Sequence, residues 1–381
     1  MTTDLTQAGD NGRITIDLAA LGENWRALAA LTGPATECGA AVKADCYGIG
    51  VDKGLPALWR AGARTFFVAT PQEGQEARRL LPDATLYILN GLYPGASAFY
   101  AAHGLRPVLG SAEELREWAG FASETLAPLE AALHVDTGIS RLGLSREEAH
   151  AAADGTLTGS PFRPAMVMSH LACADTPANP MSALQRQRFL ELSALFPGAR
   201  RSLANSAGVF LGPDYHFELA RPGIALYGAR AAESAQSRLA TVVTLEARVL
   251  QTHLLRKGET IGYGATYTAT ADTRVAMIAS GYADGYLRSS GSTDDRPGAE
   301  VFAGGKRLPV IGRVSMDMLG IDASALGEQE LARGDFVELF GANLPVDDTA
   351  ERAGTIPYEF LTGLGHRYAR RYVGAGSEET G

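Results

Sequence analysis

A lysine, a tyrosine and a glycine fall within six residues in Lys43-Ala-Asp-Cys-Tyr-Gly48, directly after an apolar run at 39–42. The chain has four lysines among its 34 basic side chains. Lys53, Lys257 and Lys306 occupy polar, turn-like contexts, whereas Lys43 closes a candidate core strand. Burial readily lowers the pKa of an ammonium. That suits lysine to Schiff-base and general-base chemistry, which the permanently charged arginine cannot perform. The alternative is a lysine whose charged end snorkels from a strand terminus into water.

The elements around Lys43 set a frame. Between residues 13 and 235, short apolar runs at 39–43, 65–69, 85–89, 107–109, 131–135, 165–169, 201–204 and 221–226 alternate with helical stretches. Thr70-x-x-Glu73, Ser111-x-x-Glu114 and Ser145-x-x-Glu148 read as capping boxes that open helices, and 181–195 has apolar residues at helical spacing. Eight strand–helix repeats predict an α/β fold of (β/α)8 TIM-barrel type. No G-x-G-x-x-G turn follows the first strand, which speaks against a doubly wound sheet. After about residue 230 the patterning turns to β, with runs at 239–255, 274–279, 300–302, 308–314 and 336–339. Turn signals stand at 291–295 and 304–305, and helices are expected near 346–353 and after Pro357. The expected domains are a tail at 1–12, a barrel at 13–235 and a mainly β C-terminal domain at 236–381.

Barrels place their working residues at the C-terminal ends of strands. Those ends hold Lys43, Asp136-Thr-Gly-Ile-Ser-Arg141, His170, Asn205-Ser206 and Arg221-Pro-Gly-Ile224. The last two follow strands seven and eight, where barrels commonly hold a phosphate, and Gly223 lets backbone N–H groups approach closely. A strand-one lysine facing such a site suggests pyridoxal 5′-phosphate, joined to the lysine and anchored by its phosphate. Each piece has an ordinary reading as well. Ser206 could be a helix N-cap, Arg221 a surface ion pair and His170 a hydrogen-bonded core histidine.

Taken with the motifs AVKADCYG, HVDTGISRLG, SHLACAD, ANSAG, RPGIALYG, GYGATYTA, GYADGY, GRVSMD and TIPYEF, the chain resembles the alanine racemases from about residue 13 to 372. That resemblance implies a pyridoxal-phosphate enzyme with a barrel and a C-terminal β domain, interconverting L- and D-alanine. Supplying D-alanine for peptidoglycan is the expected role, with its catabolism as the alternative. It implies that Lys43 carries the cofactor as a Schiff base. Tyr47, Ser206, the backbone of Gly223 and Ile224, and Tyr358 would hold the phosphate, with Asn205 beside Ser206. Arg221 would face the pyridine nitrogen. Arg141 and the backbone of Met316 would bind substrate, and Tyr282 would line the entrance. Tyr263 would be a second base, with His170 and Arg221 in hydrogen-bond contact behind it. Tyr263 and Met316 would come from the other subunit of a head-to-tail homodimer.

The chemistry explains the residue types. Racemisation removes a proton from one face of Cα and returns one to the other, so it needs a base on each face. A tyrosine, with an ordinary pKa near 10, serves only beside positive charge or donors. An arginine at the pyridine nitrogen keeps its proton and leaves that nitrogen unprotonated, which discourages side reactions such as transamination. Three positions depart from the family pattern. His134 replaces a lysine that many members carry as a carbamate orienting the following arginine. Ile49 and Ser202 replace histidines, so a donor to Arg221 is expected to be missing. An anion, a neighbouring carboxylate or His134 itself is then left to orient Arg141, while Cys46 is read as a small packing residue.

Composition narrows the alternatives. A net charge of −9 argues against a nucleic-acid partner. The N-terminus lacks an apolar signal segment and no stretch approaches 18 apolar residues, so a cytoplasmic protein without a membrane span is expected. Three cysteines without CxxC spacing fit a reducing compartment and no metal centre. The nearest rival is a racemase of serine or of several amino acids. A related barrel decarboxylase disagrees with Tyr263 and Arg221, and the small cofactor-carrying barrels lack the β domain.

Overall fold

The structure, a computed structural model, describes residues 10–125, 129–160, 162–232, 239–327 and 331–374. It forms two compact units. Of the described residues, one comprises those of Leu21–Leu226 and Arg230–Ala240; the other combines those up to Ala20, Tyr227–Ala229 and those from Thr241 on. The expected domain boundary at 235 lies outside the described residues.

Strand β1 (Gly12–Asp17) belongs to the second unit. The first unit is built on β2 (Glu37–Cys38), β3 (Ala40–Ala41), β4 (Thr65–Val68), β5 (Thr85–Ile88), β6 (Leu105–Leu109), β7 (Ala132–His134), β8 (Met166–Met168), β9 (Arg200–Ser202) and β10 (Leu219–Ala220). Strands β3 to β9 pair in sequence order, all parallel, and β10 pairs in parallel with β2. Backbone bonds complete the ring. Glu218 N–H donates to Arg201 O and Arg221 N–H to Ala204 O on one side of β10; Gly39 N–H donates to Ala220 O on the other. With β2 and β3 counted as one interrupted strand, this is the expected eight-stranded barrel.

Strands β3, β4, β7 and β8 are buried on both faces, as their apolar runs require, whereas Arg200 and Arg201 of β9 are half-buried; Phe67 stacks on Tyr87 with ring centroids 5.4 Å apart. All three capping boxes form, with Thr70, Ser111 and Ser145 each accepting from the backbone N–H three residues on. The eighth strand is shorter and earlier than its expected 221–226. Pro222 has no N–H to give a ladder, and Ile224–Tyr227 turn into a 3-10 helix.

The second unit carries an eight-stranded sheet. Its strands are β1, β11 (Val243–Leu255), β14 (Thr273–Ile278), β15 (Glu300–Ala303), β16 (Lys306–Ile311), β17 (Leu319–Asp322), β18 (Phe336–Phe340) and β19 (Ala369–Val373). They run in the order β14-β17-β16-β15-β18-β11-β1-β19, with β14 also pairing β11. A small hairpin, β12 (Thr260–Ile261) with β13 (Tyr267–Thr268), packs Ile261 and Tyr267 on a cluster of Leu255, Ala269, Val275 and Ile311. The hairpin between β15 and β16 turns on Gly304 and Gly305, both at positive φ, as a two-residue connection demands.

Sequence patterning assigns the chain from residue 13 onward to the barrel. Strand β1 instead pairs antiparallel with β11 and in parallel with β19. Its alternation of buried Ile14 and Ile16 with exposed Arg13 fits a sheet covered on one face rather than a barrel strand covered on both.

Candidate active site

Lys43 stands two residues beyond β3, where the chain makes an unusual turn. Ala44, Asp45, Cys46 and Tyr47 all have left-handed backbone angles, with φ between 53° and 56°. Each such non-glycine residue costs roughly 1–2 kcal/mol, so the turn must be held by its surroundings. Cys46 N–H donates to Val42 O, Gly48 N–H to Ala44 O, and the Asp45 carboxylate accepts from Val51 N–H at 2.7 Å. Cys46 is fully buried and packs against Gly54, and Ile49 is fully buried too; both are packing residues.

The turn aims Tyr47 across the barrel mouth at the loop after β10. A Cβ on Gly223 would collide with the Tyr47 hydroxyl and lie 2.9 Å from Cζ, so only glycine allows this approach. The same loop meets the one after β9. Ser206 Oγ accepts from Gly223 N–H at 2.7 Å and from Ala225 N–H at 3.3 Å. Ser206 is not the N-cap of the short helix Ser206–Phe210. Asn205 is, accepting from Gly208 N–H while its amide donates to Leu171 O. With both ends of its amide engaged, Asn205 fixes where Ser206 stands.

Arg221 is only 5% exposed. Its guanidinium donates to Ser202 Oγ and to Ser169 O, both at 2.6 Å, and lies 5.9 Å from the centre of the Phe67 ring. The expected loss of a partner for Arg221 is therefore met locally: the Ser202 hydroxyl accepts from Arg221 and donates to Leu219 O. Burial pulls Arg221 down to about 9, which still leaves it cationic at neutral pH.

Around it lie Arg141 and Lys43, with the carboxylates of Glu73 and Asp136 opposing them. Burial and the neighbouring Arg141 lower Lys43, with Glu73 opposing them. His170 is held well below its ordinary value by burial, then by Arg221, Arg141, His134 and Lys43. His134 is 4% exposed and lowered to about 4, first by burial and then by Arg221 and Arg141. Both imidazoles are neutral at pH 7. Lys43, Tyr47, Arg141, His170, Ser206, Arg221, Gly223 and Ile224 thus share one end of the barrel unit.

The loop that carries Arg141 is fixed by a carboxylate. Asp136 Oδ1 accepts from the backbone N–H groups of Gly138, Ile139 and Ser140 at 2.9, 3.1 and 3.2 Å. Leu144 N–H returns to His134 O, so Arg141 springs from a closed loop although no lysine stands at 134.

Both halves of the chain match family models, for the alanine racemase N-terminal domain over residues 16–231 and the alanine racemase C-terminal domain over 242–372. The chain belongs to the alanine racemase family. It is 47% identical over 370 residues to the alanine racemase of Rhizobium meliloti, covering 96% of this chain and 97% of that one. It is 44% identical over 367 residues to the biosynthetic alanine racemase of Agrobacterium fabrum, covering 95% and 93%. Among solved structures, it superposes on the Bartonella henselae alanine racemase with covalently bound pyridoxal phosphate at a TM-score of 0.89 and 36% identity, over 95% of this chain and 99% of that one. The biosynthetic alanine racemase of Pseudomonas aeruginosa gives 0.86 and 36%, with the same coverage.

The remaining residues expected from the family's motifs lie in the β unit. Tyr263 opens a 3-10 turn after β12 and is 71% exposed. Met316, 52% exposed, lies in the loop between β16 and β17, where its carbonyl accepts from Ala283 N–H; Tyr282 N–H donates to Ser315 O. The GYADGY and GRVSMD segments are thereby joined, and the turn at Tyr263 rests on Arg313 of the second. Tyr358 lies in the helix Pro357–Thr362 and is partly exposed.

Sequence reasoning overlooked Gln185. This fully buried side chain donates to His170 O and Thr137 Oγ1 and accepts from Ala172 N–H, tying together the loops after β7 and β8. Its signal was a glutamine on the same helical stripe as the buried Phe189 and Leu192.

Proposed function

We propose that this chain is a pyridoxal-phosphate-dependent alanine racemase that interconverts L- and D-alanine between two bases, Lys43 and Tyr263 of a second copy. The observation that carries the reading is the close approach of Tyr47 to Gly223 beside Ser206, opposite a buried Arg221 and a Lys43 whose pKa is lowered. These residues fit the cofactor. Hydroxyls from Tyr47 and Ser206 and the backbone N–H groups of Gly223 and Ile224 would hold its phosphate, joined by Tyr358. Arg221, cationic and donating on its other side to Ser202 and Ser169, would face the ring nitrogen and give it no proton.

With the substrate amine in place of Lys43, the cofactor would withdraw electrons and acidify the substrate Cα–H, leaving the lysine free to act as a base. This chain's residues do the rest. Arg141 and the Met316 N–H bind the substrate carboxylate, which fixes Cα between the bases. Lys43 Nζ takes a proton from one face and Tyr263 Oη returns one to the other. The neutral His170 and cationic Arg221 stand behind the tyrosine.

A head-to-tail homodimer belongs to this proposal, and the exposure of Tyr263, Met316, Met318 and Ile356 on the β unit supports a partner that covers them. We assign the enzyme a role in supplying D-alanine for peptidoglycan in the cytoplasm; the description of two relatives as biosynthetic supports the biosynthetic part of that reading. Among the described residues no helix is long and apolar enough to cross a membrane.

The test is incubation of the purified protein with L-alanine and, separately, L-serine, followed by chiral analysis. D-alanine should accumulate much faster than D-serine, and Lys43→Ala should abolish both activity and the visible absorbance of bound cofactor. Equal rates on the two amino acids, or an active Lys43→Ala variant, would overturn the assignment.

A further inference from the structure

The four consecutive residues after Lys43 all hold left-handed angles that are sterically costly for any residue but glycine. The turn's own backbone bonds replace bonds to water and each contributes modestly, which does not by itself secure one geometry. A carboxylate from a different element supplies what is missing. Glu73 stands in the first turn of the helix Pro71–Leu80, where it completes the capping box with Thr70. Its Oε2 accepts from Ala69 N–H at 2.7 Å and Thr70 N–H at 3.3 Å. Its Oε1 is not needed by the helix. It reaches sideways to the neighbouring strand end and accepts from Ala44 N–H at 2.8 Å, at the peptide that follows Lys43.

We propose that Glu73 is a positioning residue for the racemisation: its carboxylate clamps the left-handed turn at Ala44, sets the direction in which Lys43 leaves the barrel, and keeps a negative charge beside that lysine. The inference rests on the reading of Lys43 as cofactor lysine and base. The charged groups in the field of Lys43 are Arg141, which disfavours its ammonium, and Glu73, which favours it, with His170 the further titratable group that feels Lys43. Losing the carboxylate therefore makes Lys43 a weaker base that is free of its proton at lower pH.

Three full-length, cofactor-loaded variants separate the roles. Thr70→Ala weakens the helix cap and leaves the Glu73–Ala44 bond in place. Glu73→Asp keeps the charge on a side chain too short to span both elements. Glu73→Gln removes the charge and one of the two acceptor oxygens. Hydrogen exchange at Ala44, read in peptides covering 43–51, should accelerate about tenfold or more in Glu73→Asp and Glu73→Gln and stay unchanged in Thr70→Ala. The acid limb of the kcat–pH profile should move to lower pH in Glu73→Gln and hold in Glu73→Asp and Thr70→Ala. Unchanged Ala44 exchange in both Glu73 variants, or an acid limb that moves equally in Thr70→Ala, would overturn the proposal. An active Lys43→Ala variant would instead overturn the underlying functional reading and leave the clamp itself standing.

Discussion

Burial, with Arg221 and Arg141 beside it, keeps His134 neutral. Its folded-state value of about 4 lies below the ordinary 6.5, so between those values the unfolded chain binds the proton that the folded chain refuses. The resulting stability is complete above about pH 6.5 and is lost as pH falls toward 4. At pH 5 this amounts to about 2 kcal/mol from His134, with His170 acting in the same direction. His134→Gln should flatten the acid dependence of denaturant midpoints between pH 7.5 and 5, and an unchanged slope would contradict the neutral imidazole. Arg221→Glu tests the other buried charge: racemisation should fall at least about tenfold relative to transamination, measured by chiral analysis alongside pyruvate release. Most of these residues were legible because motif and strand end coincide. Gln185 and the second role of Glu73 were not, since a capping-box glutamate looks the same whether one carboxylate oxygen or both serve the helix.

Elements were read well where their patterns are local. The three capping boxes and the alternating strands of the β unit depend on near neighbours, and each appears where its residues place it. The left-handed turn had no such signal: Ala44, Asp45, Cys46 and Tyr47 carry no glycine among them, and only contacts distant in sequence force their conformation. The eighth strand ends early for a local reason, Pro222, that an apolar count overlooks. Gly223→Ala should test how closely the two loops must meet. The added methyl would displace the Tyr47 hydroxyl and lower cofactor affinity at least about tenfold, followed by absorbance titration. Adding Tyr47→Phe should recover part of the fold stability without restoring affinity, because the collision is relieved while the hydroxyl is lost.

At the scale of the whole molecule, the proposed exchange of Tyr263 between copies can be tested by mixing. Lys43→Ala and Tyr263→Phe homodimers should each be nearly inactive. Random reassembly makes about half the dimers mixed, and each mixed dimer has one intact site, so activity should return to about a quarter of the wild-type level. No recovery after verified exchange would place both bases in one chain. The assignment of β1 was not legible in the sequence, because a strand of six residues shows which faces are apolar but not which distant partner it will find.

That strand has a consequence for synthesis. On one side β1 pairs with β11, and on the other, in parallel, with β19, which ends at Val373. Strand β1 therefore waits for the distant β19, while the parallel ladder β3 to β9 closes between sequence neighbours as they emerge. The barrel unit can assemble during translation; the large sheet of the unit that carries Tyr263 and Met316 is completed only once β19 has been made.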